Sequence, residues 1–171
     1  EVRSPGLQTR LSQFEEQHSG LYQESVNPML LHGGNPQRGA VLYSQHNSLQ
    51  CVRCHRLDGV GGVIGPDVTK VGARLSRQEL LESLQLPNKK IARGYETVII
   101  TTTDGKVISG IVQSEDDQEL KIMTPQGKEI SLETDAIEQR TVGQSAMPED
   151  LVKDLSPMEL RDLVEFLASR K

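Results

Sequence analysis

The sequence predicts an α+β fold in which short helices stand beside a small antiparallel sheet of about five strands. Three observations predict it. Two Ser-x-x-Glu capping boxes, beginning at Ser76 and Ser156, each open a run of leucines at helical spacing. Between them, from Tyr95 to Arg140, the texture changes to Val, Ile and Thr alternating with polar residues and broken by turn dipeptides. Ahead of both lies "LDGVGGVIGPDVTKVGARL", too rich in glycine to form one regular element.

In chain order, residues 1–34 are polar, with short apolar clusters and no sustained period, and read as an extended or partly helical leader. "GNPQRGAVLYSQHN" then offers Asn35 as N-cap and Pro36 at the first helical position, with Val41, Leu42 and Tyr43 on an apolar side. This helix should end just before the cysteines, and the glycine-rich stretch should follow as a wrapping loop. The Ser76 helix continues through Leu80, Leu81 and Leu84 until Pro87. Strands are predicted at roughly 95–103, 106–113, 118–124, 128–132 and 136–140, joined at Asp104-Gly105, Glu115-Asp116-Asp117 and Gln126-Gly127. A sheet of that size must curl or lean on the helices to be stable. In the closing helix Ser156 caps, Pro157 takes the first turn, and Leu160, Leu163, Val164 and Leu167 share one face. The organisation expected is a leader at 1–34, a helical unit formed by 35–95 and 141–171, and a β unit inserted at 96–140.

With 171 residues the chain fits one ordinary domain or two small ones. Only 35% is hydrophobic and 3% aromatic, with no tryptophan, so a core built from side chains alone would be thin. A planar apolar cofactor would supply the missing bulk. A net charge of −5, with no stripe of Lys and Arg, argues against nucleic acid as a partner. No apolar run approaches the ~18–20 residues that span a bilayer, and the charged start "EVRSPGLQTR" is not a signal peptide. Because the chain opens on Glu1 and not on methionine, a mature form or an excised fragment is expected.

Both cysteines sit in "CVRCH", Cys51 to His55. A dithiol redox pair would need a βαβ setting, and none surrounds it. Structural zinc would need four ligands, and the chain has no second Cys-x-x-Cys or His-x-x-x-His. Cys-x-x-Cys-His is instead the signature of covalent haem attachment: two thiols add to the vinyl groups of one porphyrin, and His55 binds the iron from below. A six-coordinate electron carrier needs a further ligand above the ring. Candidates are Met29, Met123, Met147, Met158, His18, His32 and His46. Met123 in a strand and Met158 in a helical first turn read as packing residues. Met147 lies in the irregular "QSAMPED", where Pro148 holds it extended, and is the favoured ligand, with a leader histidine as rival. A thioether there favours the ferrous state, whereas a second histidine lowers the potential.

The sequence resembles a class I c-type cytochrome. More closely, it is similar to the haem-binding domain near the C-terminus of large secreted or membrane-associated dehydrogenase-like proteins of planctomycetes and verrucomicrobia. The matching stretches are "CVRCH", "GVIGPDVTKVGARLSRQELLESL", "GYETVIITTTDGKVISGIV", "SAMPEDL" and "LSPMELRDLVEFLASR", and the resemblance covers roughly Asn35 to Lys171. It implies a cytochrome c-like helical haem domain, with 96–140 as the insertion of that family. It also implies one covalent haem c, a carbonyl of Pro66 that accepts a hydrogen bond from His55, and Met147 as distal ligand. Pro66 taken alone is equally a turn proline. The resemblance places Gly39, Tyr43 and Phe166 at a close crossing of the first and last helices. Arg74 and Tyr95 flank the wrap and could bind propionates, although a solvated arginine and a sheet-edge tyrosine suit them as well. The acidic turn at Glu115 lacks an EF-hand pattern and reads as a hairpin tip.

The leading functional expectation is electron transfer by one low-spin haem, with a dehydrogenase or an upstream domain of the same polypeptide as redox partner. No Ser-His-Asp or nucleophilic cysteine arrangement argues for an enzyme. One alternative is a sensor in which a weak distal ligand yields to carbon monoxide or another diatomic. Another is that the β unit is a docking module. Haem c is assembled outside the bacterial cytoplasm, so the resemblance implies a periplasmic or otherwise extracytoplasmic location.

Overall fold

The structure is a computed structural model that describes residues 27–171. Most of the leader expectation, with His18, lies outside the described residues. A single 3-10 turn, Pro28–Leu30, opens the described chain and buries Leu30. Helix α1 is Pro36–Gln45; Asn35 caps it by accepting the Arg38 amide, and Pro36 occupies its first position. One helical turn, α2, covers Cys51–Cys54. A two-residue hairpin follows, β1 Arg56–Leu57 against β2 Val60–Gly61, and then a second helical turn, α3 Val71–Arg74. Helix α4, Arg77–Gln85, carries the capping box between Ser76 and Glu79. The glycine-rich stretch is therefore a loop punctuated by two short pieces of structure, which side-chain periodicity could not reveal because each is under five residues long.

Strands β3 Thr97–Thr102, β4 Val107–Glu115, β5 Glu119–Met123, β6 Glu129–Glu133 and β7 Ile137–Val142 form one antiparallel sheet in the order β6-β5-β4-β3-β7. The turn dipeptides act as expected: Gly105 and Gly127 take φ of +81° and +77°, open to glycine without strain. Register puts Val98 beside Gly110 and Val142, and Ile122 beside Ile130. One sheet face thereby gathers Val98, Ile100, Leu120 and Ile122, a core of its own supplemented by Ile108, Val112, Ile130, Leu132 and Ile137. Register shifts leave one extra residue in β7, Glu138 opposite Thr101/Thr102, and one in β4, Gln113 between Val112 and Ser114, and so bend those two strands. The curl lets Arg140 of β7 reach Glu115 of β4 at 2.8 Å.

Helix α5, Pro157–Ser169, carries the second capping box and buries Leu160, Leu163, Val164, Phe166 and Leu167. Its main contact is α1. At their crossing a Cβ on Gly39 would lie 2.1 Å from the Asp162 carbonyl oxygen, so only hydrogen fits. Tyr43 and Phe166 rings pack beside it with centroids 5.6 Å apart. This is the crossing that the resemblance implied. The helices thus share a second core, separate from that of the sheet, which also takes in Leu30, Leu42, Leu49, Val71, Leu81 and Val152.

Candidate haem site

Local folding around Cys51 to His55 is directed by backbone bonds from the loop that follows. The Gly62 amide donates to the Val52 carbonyl (2.9 Å) and the Gly65 amide to the Cys54 carbonyl (2.8 Å), so the chain doubles back over α2. The His55 amide closes α2 on Cys51 at 2.9 Å. Tyr43 of α1 donates its hydroxyl to the His55 carbonyl at 3.1 Å, which fixes the site to the helix crossing. Both cysteines are free and half-buried, three positions apart and so on one side of the turn. Burial pushes the Cys51 thiol up to about 11, which keeps it protonated at neutral pH and unlike the reactive thiolate of a redox pair. Among the described residues, no three His, Cys, Asp or Glu side chains cluster in a way that could hold a metal ion.

The His55 ring is held from two sides. Its Nδ1 lies 2.8 Å from the Pro66 carbonyl oxygen, which can only accept, so Nδ1 carries the proton and Nε2 presents its lone pair. A Cβ on Gly65 would stand 2.5 Å from the ring Cε1, so the loop backbone lies directly against the imidazole. Burial lowers the His55 pKa and the Pro66 hydrogen bond only partly opposes it, leaving the ring neutral near pH 7.

Met147 packs against the helical core, as Cys51, Val52 and Leu57 do. The other methionines lie elsewhere: Met29 is 68% and Met158 56% exposed, while Met123 sits in β5 opposite Ile111. His32 is exposed, and the His46 ring lies 3.1 Å from the Ser48 hydroxyl. Arg74 donates to the Asp67 carbonyl and so braces the loop beyond Pro66. Tyr95 is half-buried at the end of a turn, its amide bonded to the Ala92 carbonyl.

Two residues that sequence reasoning passed over hold the segment around Met147. The Asn88 side chain accepts the Ser145 amide at 2.7 Å and donates to the Glu149 carboxylate. Thr97, 4% exposed at the start of β3, donates its hydroxyl to the Gln144 carbonyl at 2.5 Å and accepts the Gly143 amide at 2.8 Å. No local signal pointed to them, because their partners lie some fifty residues away in the chain.

The residues present fit a covalently held haem. Two thiols share one side of a turn, the following imidazole is neutral with Nε2 unpaired among the described residues, and the Gly65 backbone lies close against that ring. A thioether stands against the same core. The family model described as cytochrome c matches residues 36–124, from the start of α1 to the end of β5. No curated protein matches the chain. Since the match takes in just over half of the sequence and contains the whole Cys51 to Pro66 arrangement, the chain belongs to the cytochrome c family of haem-binding electron-transfer proteins.

Proposed function

We propose that the protein is a monohaem electron carrier whose haem c is held by thioethers from Cys51 and Cys54 and ligated by His55 and Met147. Bound haem supplies a one-electron couple between ferric and ferrous iron. The chain's own residues set how that couple behaves. Pro66 keeps the Nδ1 proton in place and strengthens His55 as a donor. Gly65 holds the imidazole plane. Met147, a soft neutral donor, favours the ferrous state. The helical core behind Cys51 and Met147 keeps water from that side. The observation that carries this reading is the His55 geometry: an imidazole locked at Nδ1 by a carbonyl, directly after two thiols on one turn.

The finer assignment is to the haem domain of planctomycete and verrucomicrobial dehydrogenase-like proteins, with 96–140 as its inserted β unit between haem-domain segments 35–95 and 141–171. On that reading the partner is a dehydrogenase or an upstream domain, and the location is extracytoplasmic. Absorption spectra of oxidised parent protein and Met147→Ala test the ligation. The weak charge-transfer band at the red end should vanish in the variant; if it survives, Met147 is not the ligand. Carbon monoxide added to the reduced parent should leave the Soret band unchanged. A shifted band would favour the sensor over the carrier.

A further inference from the structure

Met147 lies at the midpoint of a bracket closed by one side chain. Asn88 follows Pro87, just beyond α4, and its amide is used at both ends. Oδ1 accepts the Ser145 amide, two residues before Met147, at 2.7 Å, and Nδ2 donates to Glu149, two residues after it. Only this orientation of the amide satisfies both partners, because the Ser145 N–H can only donate and the carboxylate can only accept. The Met147 amide in turn donates to the Ser145 hydroxyl at 3.2 Å. Upstream, the chain leaves the sheet at Val142, whose partner in β3 is Val98. It does not then swing free, because Thr97 bonds both Gly143 and Gln144. A Cβ on Gly143 would lie 2.3 Å from the Thr97 hydroxyl oxygen, so the Gly143 backbone stands directly against the Thr97 side chain.

We propose that Asn88 and Thr97 are positioning residues for the sixth ligand, fixing residues 143–149 between the end of α4 and the start of β3 so that Met147 resists displacement. This rests on the reading of Met147 as ligand. It gives the sheet a definite part in the haem chemistry: β3 and β7 are the template from which the ligand loop is hung. Exogenous ligands reach ferric iron only when that loop opens, and opening breaks the bracket first.

Cyanide binding to the ferric holoprotein, followed by stopped flow, is the test. Thr97→Val should bind cyanide about fivefold faster, the effect of one lost hydrogen bond on a local opening, and Asn88→Ala, which loses two, faster by at least as much. Hydrogen exchange at the Ser145 amide should quicken alongside in Asn88→Ala. Thr97→Ser keeps the hydroxyl and should return the parent rate. Thr102→Val, which removes a hydroxyl bonded to Lys106 at the far end of β3, should weaken the sheet without changing cyanide binding. Parent rates in both Asn88→Ala and Thr97→Val, in protein whose red band is lost on Met147→Ala, would overturn the bracket alone. A red band that persists in Met147→Ala would remove the ligand assignment and the bracket with it.

Discussion

The Asp162 carboxylate is 2% exposed and charged, and its partners explain how. Burial pushes its pKa up, but the Arg38 guanidinium (2.6 and 3.1 Å), the Asn35 amide (2.6 Å) and the charge of Arg161 outweigh that, so it titrates below the ordinary aspartate value. A depressed carboxylate stabilises the fold above its unfolded pKa of about 4 and loses that contribution as pH falls through the lower folded value. Urea unfolding at pH 7 should show Asp162→Asn weaker by about 2 kcal/mol, and the gap should narrow as the pH is lowered from 7 to below about 4. A constant gap across that range would exclude the carboxylate as its source. Gly65 is the handle on His55. In Gly65→Ala the new methyl must turn the ring off Pro66, weakening the donor and raising the potential, by about 60 mV if ferric preference falls tenfold. An unchanged potential would mean that the loop does not set the ring. Cys51, Cys54 and His55 stood out in the sequence because they form one local pattern, and Met147, the proposed ligand, because it precedes Pro148 in an irregular stretch. Asn88 did not, because its chemistry exists only once α4 and the Met147 segment meet.

Helices announced themselves through their ends. Asn35, Ser76 and Ser156 all cap as their side chains suggested, and the boxes at Glu79 and Glu159 are both closed. Ser156→Ala should lower stability by about 1 kcal/mol in thermal unfolding, and Ser156→Asp should recover most of it. Gly39→Ala should cost about 1–3 kcal/mol, since α1 and α5 must part to admit a methyl. Parent stability there would mean that the crossing has room for a methyl group. Strand positions agree with expectation to within about two residues because alternation and turn glycines both point to the same boundaries. The α2 turn was not legible. Four residues cannot display a helical period, and its shape comes from the Gly62 and Gly65 amides.

At the scale of the molecule, the helical core and the sheet core are separate clusters linked through loops, by the hydrogen bonds of Thr97 and Asn88 among others. Ile122, fully buried in the sheet, should cost about 2–5 kcal/mol as Ile122→Ala. Amide exchange should then rise through β3 to β7 while α1 and α5 keep their protection. Loss of protection in both together would show one cooperative unit. The thin side-chain core inferred from composition fits a fold whose helical half encloses a prosthetic group. The most direct measurement is the intact mass of protein expressed with haem c maturation, beside a Cys51→Ser/Cys54→Ser variant. Covalent attachment at Cys51 and Cys54 requires the polypeptide mass plus one haem, retained after acid extraction in the parent and lost in the double variant. A parent mass equal to the bare polypeptide would contradict it.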